Sequence, residues 1–191
     1  MMLNRLFIAL SLLVFLTGCA NIFSTATGNQ SVDEDPGRRS VGTMIDDESI
    51  ETAIKINLNA ADEQLRKSHI NVVSFNGVVL LVGQVPSQEM KNLATRVATS
   101  DTRVKNVHNE LEIAGATTFI SRSNDAWISA KIKTMMLANS EISGLRTKVV
   151  TENGVVYLMG LVTQNEASKT VDLVSNTKGV TKVVRAFEYI N

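Results

Sequence analysis

The chain has one cysteine, two histidines, one tryptophan, two tyrosines and six phenylalanines in 191 residues, and its formal net charge is zero. Each scarcity excludes something. A single thiol cannot close an internal disulfide, so packing alone must stabilise the fold. His69 and His108 stand without a second cysteine, a His-Glu-x-x-His spacing or any other catalytic constellation. No enzymatic activity, metal site or cofactor is expected, and both histidines read as surface residues. So few aromatics offer no platform for stacking on glycans. A neutral chain that is 44% hydrophobic is neither a disordered chain nor a nucleic-acid-coating protein. Long hydrophobic runs are also missing: the apolar stretch from Leu6 to Leu16, interrupted only by Ser11, covers 11 residues, too few to span a bilayer.

That stretch follows Arg5 and leads into Leu16-Thr17-Gly18-Cys19, so it fits the h-region of a signal peptide. The tetrapeptide resembles a bacterial lipobox, which implies cleavage before Cys19 and acylation of its sulfur. One myristoyl chain binds a membrane only marginally, at about 0.8 kcal/mol per buried methylene, so the two or three chains implied here anchor durably. Ala20 follows the cysteine where an aspartate would resemble an inner-membrane retention signal, so the expected location is the outer membrane, facing the periplasm.

From Ala20 to about Ile45 the chain is rich in Ser, Thr, Gly, Asn and Asp and lacks hydrophobic periodicity, which reads as a tether with a reach on the order of 30 Å. Beyond it a segment occurs twice. Asn76-Gly77-Val78-Val79-Leu80-Leu81-Val82-Gly83 returns as Asn153-Gly154-Val155-Val156-Tyr157-Leu158-Met159-Gly160. Two copies at so long a period mean tandem domains, not a solenoid. In the first copy Asp46 and Asp47 are N-cap candidates before Ile50, Ile54 and Leu58, which recur every four residues on one helix face. Ile70 to Phe75 and Val78 to Val82 flank an Asn-Gly turn of type I′. Ser87 starts a second helix, and Val107, Leu111 and Ile113 mark a last strand. The second copy follows with Ile128, Ile132 and Met136, the Asn153-Gly154 turn, a Thr163/Glu166 capping box, and Val183, Phe187 and Tyr189. The order is αββαβ, an α+β fold. Expected boundaries are 1–18 signal peptide, 19–45 lipidated cysteine and tether, 46–114 first domain, 115–122 linker and 123–191 second domain. A linker this short, holding Phe119 and Ile120, predicts that the domains dock on each other.

The capped helix, the Asn-Gly-x-Val hairpin and the closing Val-x-x-Val strand resemble the BON domain, and both copies carry them. Gly179 holds the glycine position before Val180 and Val183, whereas Arg103 takes it before Val104 and Val107. With the lipobox and tether, the whole chain is similar to BON-domain outer-membrane lipoproteins. That resemblance implies tandem domains with three-stranded mixed sheets packed on two helices, phospholipid binding instead of catalysis, and a part in outer-membrane integrity at division sites.

Charge separates the copies. Residues 46–113 carry seven basic and ten acidic side chains, net −3, while residues 119–191 carry nine basic and six acidic, net +3. A basic domain near a bilayer is drawn to anionic headgroups; opposite charges can equally help the domains dock. The only tryptophan, Trp127, lies in the basic copy on a helix where Ile128, Ile132, Met135 and Met136 form the core stripe. Trp127 is placed at the rim of that stripe beside Lys131 and Thr134. An indole beside lysines suits a membrane interface; the alternative is that it packs in the core or against the first domain. Arg122 and Lys133 are expected to extend the patch, and Ile120 to serve as insertion edge or interdomain glue. The expected partners are an anionic phospholipid membrane and, as a rival, a periplasmic protein of the envelope-assembly or division machinery. No nucleic acid is expected, and the oligomeric state is left open.

Overall fold

The computed structural model describes residues 37–115, 118–142 and 144–191. The expected signal peptide, Cys19 and the tether up to residue 36 lie outside the described residues.

The first repeat is built from α1 (Val41–Ala61), the short α2 (Glu63–Lys67), β1 (His69–Phe75), β2 (Val78–Val85), α3 (Gln88–Thr99) and β3 (Asn106–Ile113). The second follows with α4 (Phe119–Ala138), a 3₁₀ turn (Gly144–Arg146), β4 (Thr147–Glu152), β5 (Val155–Val162), α5 (Gln164–Ser175) and β6 (Lys182–Tyr189). In each repeat the hairpin strands pair antiparallel and the last strand pairs parallel to the second, giving two mixed sheets of order β1-β2-β3 and β4-β5-β6. Asn76 and Gly77 have φ 54° and 78°, Asn153 and Gly154 50° and 75°. Both central residues of each turn therefore have the positive φ that a type I′ hairpin requires. A side chain on Gly83 would meet the His69 carbonyl oxygen at 2.0 Å, which explains why the repeated segment ends in glycine.

Two helix starts differ from expectation. α1 begins at Val41, capped by Ser40, whose Oγ accepts the Thr43 N–H at 3.1 Å. α4 begins at Phe119, capped by Thr118. The helices thus reach back into what the sequence suggested was tether and linker. In α1 the reason is that residues 41–44 carry no buried side chain, so the hydrophobic period does not reveal that turn. Asp46 and Asp47 are accordingly not caps. Asp47 is buried in the second turn of α1 and has another task, described below. Ser87 and the Thr163/Glu166 capping box start α3 and α5 as the sequence indicated.

Three cores hold the described residues together. Ile50, Ile54 and Leu58 of α1 and Met90, Ala94 and Ala98 of α3 close over Val72, Val79 and Leu81 on one face of the first sheet. Ile128, Ile132 and Met136 of α4, with Val174 of α5, close in the same way over Val149, Val156 and Leu158. The third core lies between the sheets. Val73, Phe75, Val78, Leu80 and Val82 meet Val150, Tyr157, Met159 and Ala186. The two repeats therefore form a four-layer stack of helices, sheet, sheet and helices, and every residue of β2 is buried. A strand covered on both faces reads as a continuous apolar run, which is what Val78-Val79-Leu80-Leu81-Val82 is.

Candidate functional site

The polar frame of each domain is a carboxylate that pins the hairpin turn. Asp47 accepts the Asn76 and Gly77 N–H groups at 2.8 and 2.9 Å, the Ser74 hydroxyl at 2.7 Å and Arg39 at 2.6 Å. Burial works to raise its pKa, yet the bonds from Gly77, Ser74, Asn76 and Arg39 outweigh it and hold the carboxyl below its ordinary value. Asp125 repeats the two turn bonds, accepting Asn153 and Gly154 N–H groups at 2.9 Å each. The place of Ser74 is taken by Thr151, which bonds Ser129 instead, at 2.8 Å. The signal was present in the sequence: an aspartate three positions before the first core isoleucine of each copy.

The domains dock through reciprocal polar contacts around the apolar core. The Asn76 amide donates to Glu188 at 2.7 Å, and the Asn153 amide donates to Glu112 at 3.3 Å. Each turn thus reaches the end of the other domain's last strand, as at a twofold interface between identical subunits. Lys148 of the basic domain pairs with Glu51 of the acidic one at 2.8 Å, and Gln84 donates to Glu152 at 2.8 Å. His69 lies 3.8 Å from Glu152. It therefore stands at the junction between the domains, with its side chain still 33% exposed. Tyr157 is pushed up to about 12 by burial and by the negative charges of Glu110, Glu112 and Glu152, so it stays neutral in the seam. Part of the charge asymmetry between the copies is used for docking.

Outside this frame stands α4. Trp127 is 57% exposed, and the Lys131 ammonium sits 5.3 Å from its ring centroid, within cation–π range. The indole is packed neither in the core nor against the first domain. At about 100° per residue it lies roughly 140° from the middle of the Ile128/Ile132/Met136 face, so it points outward instead of sitting at the rim. Ile120, Lys131 and Thr134 share its stripe, spaced 7, 4 and 7 positions from it. Ile120 is 80% exposed, which excludes it as interdomain glue. The Thr134 hydroxyl bonds back to the Ala130 carbonyl at 3.0 Å and offers the surface mainly its methyl.

Arg122 and Lys133 do not extend this stripe. They sit on the opposite flank of α4 and line a cleft of about 260 Å³ with Ser129, Thr151 and the first-domain residues His69 and Asn71. The structure thus brings Trp127, Lys131, Thr134 and Ile120 together and separates Arg122 and Lys133 from them. Sequence reasoning missed two further exposed residues, Leu137 at the end of α4 and Leu145 in the 3₁₀ turn that follows. The first domain carries a different surface on the equivalent helix: Val41, Ile45 and Ile56 are exposed along α1. Among the described residues, no group of three His, Cys, Asp or Glu side chains could hold a metal ion, and no helix is long and apolar enough to cross a membrane.

Comparison with known proteins agrees with this architecture. The BON domain model matches residues 46–115 and 124–191. The chain is 37% identical to the outer membrane lipoprotein DolP of Haemophilus influenzae, over 99% of this chain and 97% of that protein. It is 35% identical to the 21 kDa hemolysin of Actinobacillus pleuropneumoniae, over 85% of this chain and 83% of that one. It is 29% identical to the osmotically-inducible protein Y of Escherichia coli, over 96% of both chains. Two matched domains, two mixed αββαβ sheets and near full-length identity lead to one conclusion: the chain belongs to the BON-domain family, as a tandem member similar to an outer membrane lipoprotein.

Proposed function

We propose that the protein is a non-enzymatic lipoprotein of the outer membrane, anchored through Cys19 and facing the periplasm, whose second domain lays α4 against anionic phospholipid and thereby supports envelope integrity, including at division sites. The observation that carries the reading is Trp127, the only tryptophan, turned to solvent on the outer face of α4 with Lys131 over its ring. An exposed indole costs hydration in water and gains a favourable place at headgroup depth, where a neighbouring ammonium meets phosphate. A relative of nearly the same length named as an outer membrane lipoprotein, and the Leu16-to-Cys19 motif, support the location.

The test uses residues 35–191, a single compact unit that contains all three cores. Wild type is expected to co-sediment with phosphatidylglycerol-containing vesicles, and its tryptophan emission to shift to the blue. Trp127→Glu is expected to abolish both while leaving the circular dichroism unchanged; unchanged sedimentation would refute the reading. Lys131→Glu should weaken binding, most at low ionic strength, where charges act over a longer range.

A second reading has its own observation. Val41, Ile45 and Ile56 line the outer face of α1 in the acidic domain, on the layer opposite α4. That face suits a periplasmic protein partner of the envelope-assembly or division machinery. Retention of such a partner by the Trp127→Glu variant, together with its loss on Ile45→Asp, would favour a scaffold.

A further inference from the structure

Leu145 is 84% exposed, more than any other large hydrophobic residue in the described part of the chain, and Leu137 is 64% exposed. Single exposed leucines are ordinary on protein surfaces. These two are not independent, because both line one concavity of about 380 Å³ with Asn139, Ser140 and Glu141. The duplication also supplies an internal control. Counting back along the matching elements, Trp127, Leu137 and Leu145 correspond to Ser49, Asn59 and Ser68 of the first domain. Core positions in the same stretch keep their character: Leu65 and Ile142 correspond, and both are buried. The fold therefore needs an apolar residue at 65 and 142 but none at 137 or 145. Only the basic copy places leucines there.

We infer that the end of α4 and the turn after it form a second insertion point for a phospholipid leaflet, with Leu137 and Leu145 entering the acyl region beside the headgroups. The inference rests on the reading of α4 as the membrane-facing helix. Ten residues of helix separate Leu137 from Trp127, about 15 Å along the axis, so the contacts are distinct. One inserted side chain leaves a protein free to rock. Two, spaced this far apart along α4, make the helix lie along the surface. The occupant is an anionic bilayer and not an apolar protein groove because the cations are placed for one. Lys131 lies between the two points along α4, over the Trp127 ring, the domain carries net +3, and Glu141 at the second point is paired with Lys169 at 2.8 Å. Held flat in this way, the two domains turn the outer face of α1, on the far side of both sheets, toward the periplasm.

The experiment titrates residues 35–191 with vesicles of phosphatidylglycerol and phosphatidylcholine and follows Trp127 emission and sedimentation in parallel. Leu145→Asp is expected to weaken vesicle affinity about tenfold, from the loss of one buried leucine and the addition of a like charge to the lipid. At saturating lipid the Trp127 blue shift should persist, since the first contact is intact. Leu145→Ser and Leu137→Asn, which restore the first domain's residues, should each weaken affinity about threefold without changing the circular dichroism. If Leu145→Asp fails to fold, the serine variant decides. Wild-type affinity in both Leu145→Ser and Leu137→Asn would overturn the second insertion point while leaving the Trp127 reading standing. Absence of any blue shift in the wild type would overturn both.

Discussion

The same structural position does opposite things in the two domains. Ser49, on the outer face of α1, is tied by its hydroxyl to Arg103 at 2.9 Å, and Arg103 is in turn bonded to Asp101 at 2.6 Å. Its counterpart Trp127 stands exposed with only a lysine over its ring. The first domain has a small polar residue there, tied to its own loop, whereas the second presents an amphipathic residue to what lies outside. The Arg103 side matters for the loop as well. Gly179 reaches its position with φ 99°, while Arg103 has no positive φ and makes its own turn through Asp101. The departure from the family glycine in the first copy therefore goes together with a polar tie from the loop to α1. Duplicated folds can thus be read against each other: what both copies keep supports the fold, and what only one copy has is a candidate for function.

The largest expected effect tests what the copies share. Leu80 is fully buried between the sheets. Leu80→Ala should cost about 3 kcal/mol in urea denaturation, because the cavity opens in the core that joins the domains. A single cooperative transition that moves as a whole would show that the domains unfold together. Two separated transitions would show that each domain is stable alone.

Next in size is the difference between the two turn-pinning aspartates. Asp47→Ala should destabilise by about 3 kcal/mol and Asp125→Ala by less, since Asp47 adds Ser74 and Arg39 to the turn bonds that both make. The Asp47 contribution also depends on pH in a known direction. Its folded pKa lies below the unfolded value, so the stabilisation is complete above about pH 4 and is lost as pH falls through the folded pKa. Stability of wild type relative to Asp47→Asn, followed from pH 7 downward, should therefore converge in acid. A constant difference would mean that shape, not charge, is what α1 needs there.

A smaller effect is expected at the cross-domain ion pair. Lys148 is partly exposed, so Lys148→Ala should cost about 1 kcal/mol, sensitive to salt. Glu51→Ala should cost more than Lys148→Ala, because Glu51 is buried and also accepts the Ser74 N–H at 2.9 Å. Smallest of all, Trp127→Glu should change stability by no more than about 0.5 kcal/mol while removing vesicle binding. A large stability loss there would mean that the indole belongs to the fold after all.

Much of the architecture was legible in the residues. Ile50, Ile54 and Leu58 announced a buried helix face, the Asn-Gly pairs announced type I′ turns, and the apolar spacing after the second helix announced a last strand, because these are local rules of backbone geometry and period. The helix starts at Val41 and Phe119 were not legible; at Val41 the reason is an exposed first turn, which obeys no burial pattern. The candidate site divided in the same manner. That Trp127 and Lys131 neighbour each other follows from a spacing of four on a helix. That Arg122 and Lys133 turn into a cleft shared with His69 and Asn71 follows only from where the first domain docks.

The sequence by itself determined the repeat, its αββαβ order, the turn geometry and the opposite charges of the two copies, because each is written in spacing and composition within a single unit. Only the tertiary structure decided which faces are spent on docking and which remain open. Val73, Leu80, Tyr157 and Met159 are sheet residues whose second side could have faced water or another chain, and it is the pairing of two sheets, over 70 residues apart in sequence, that buries them. Once that inner face is closed, the outer helices are the surfaces left to meet a membrane or a partner, and Trp127 stands on one of them.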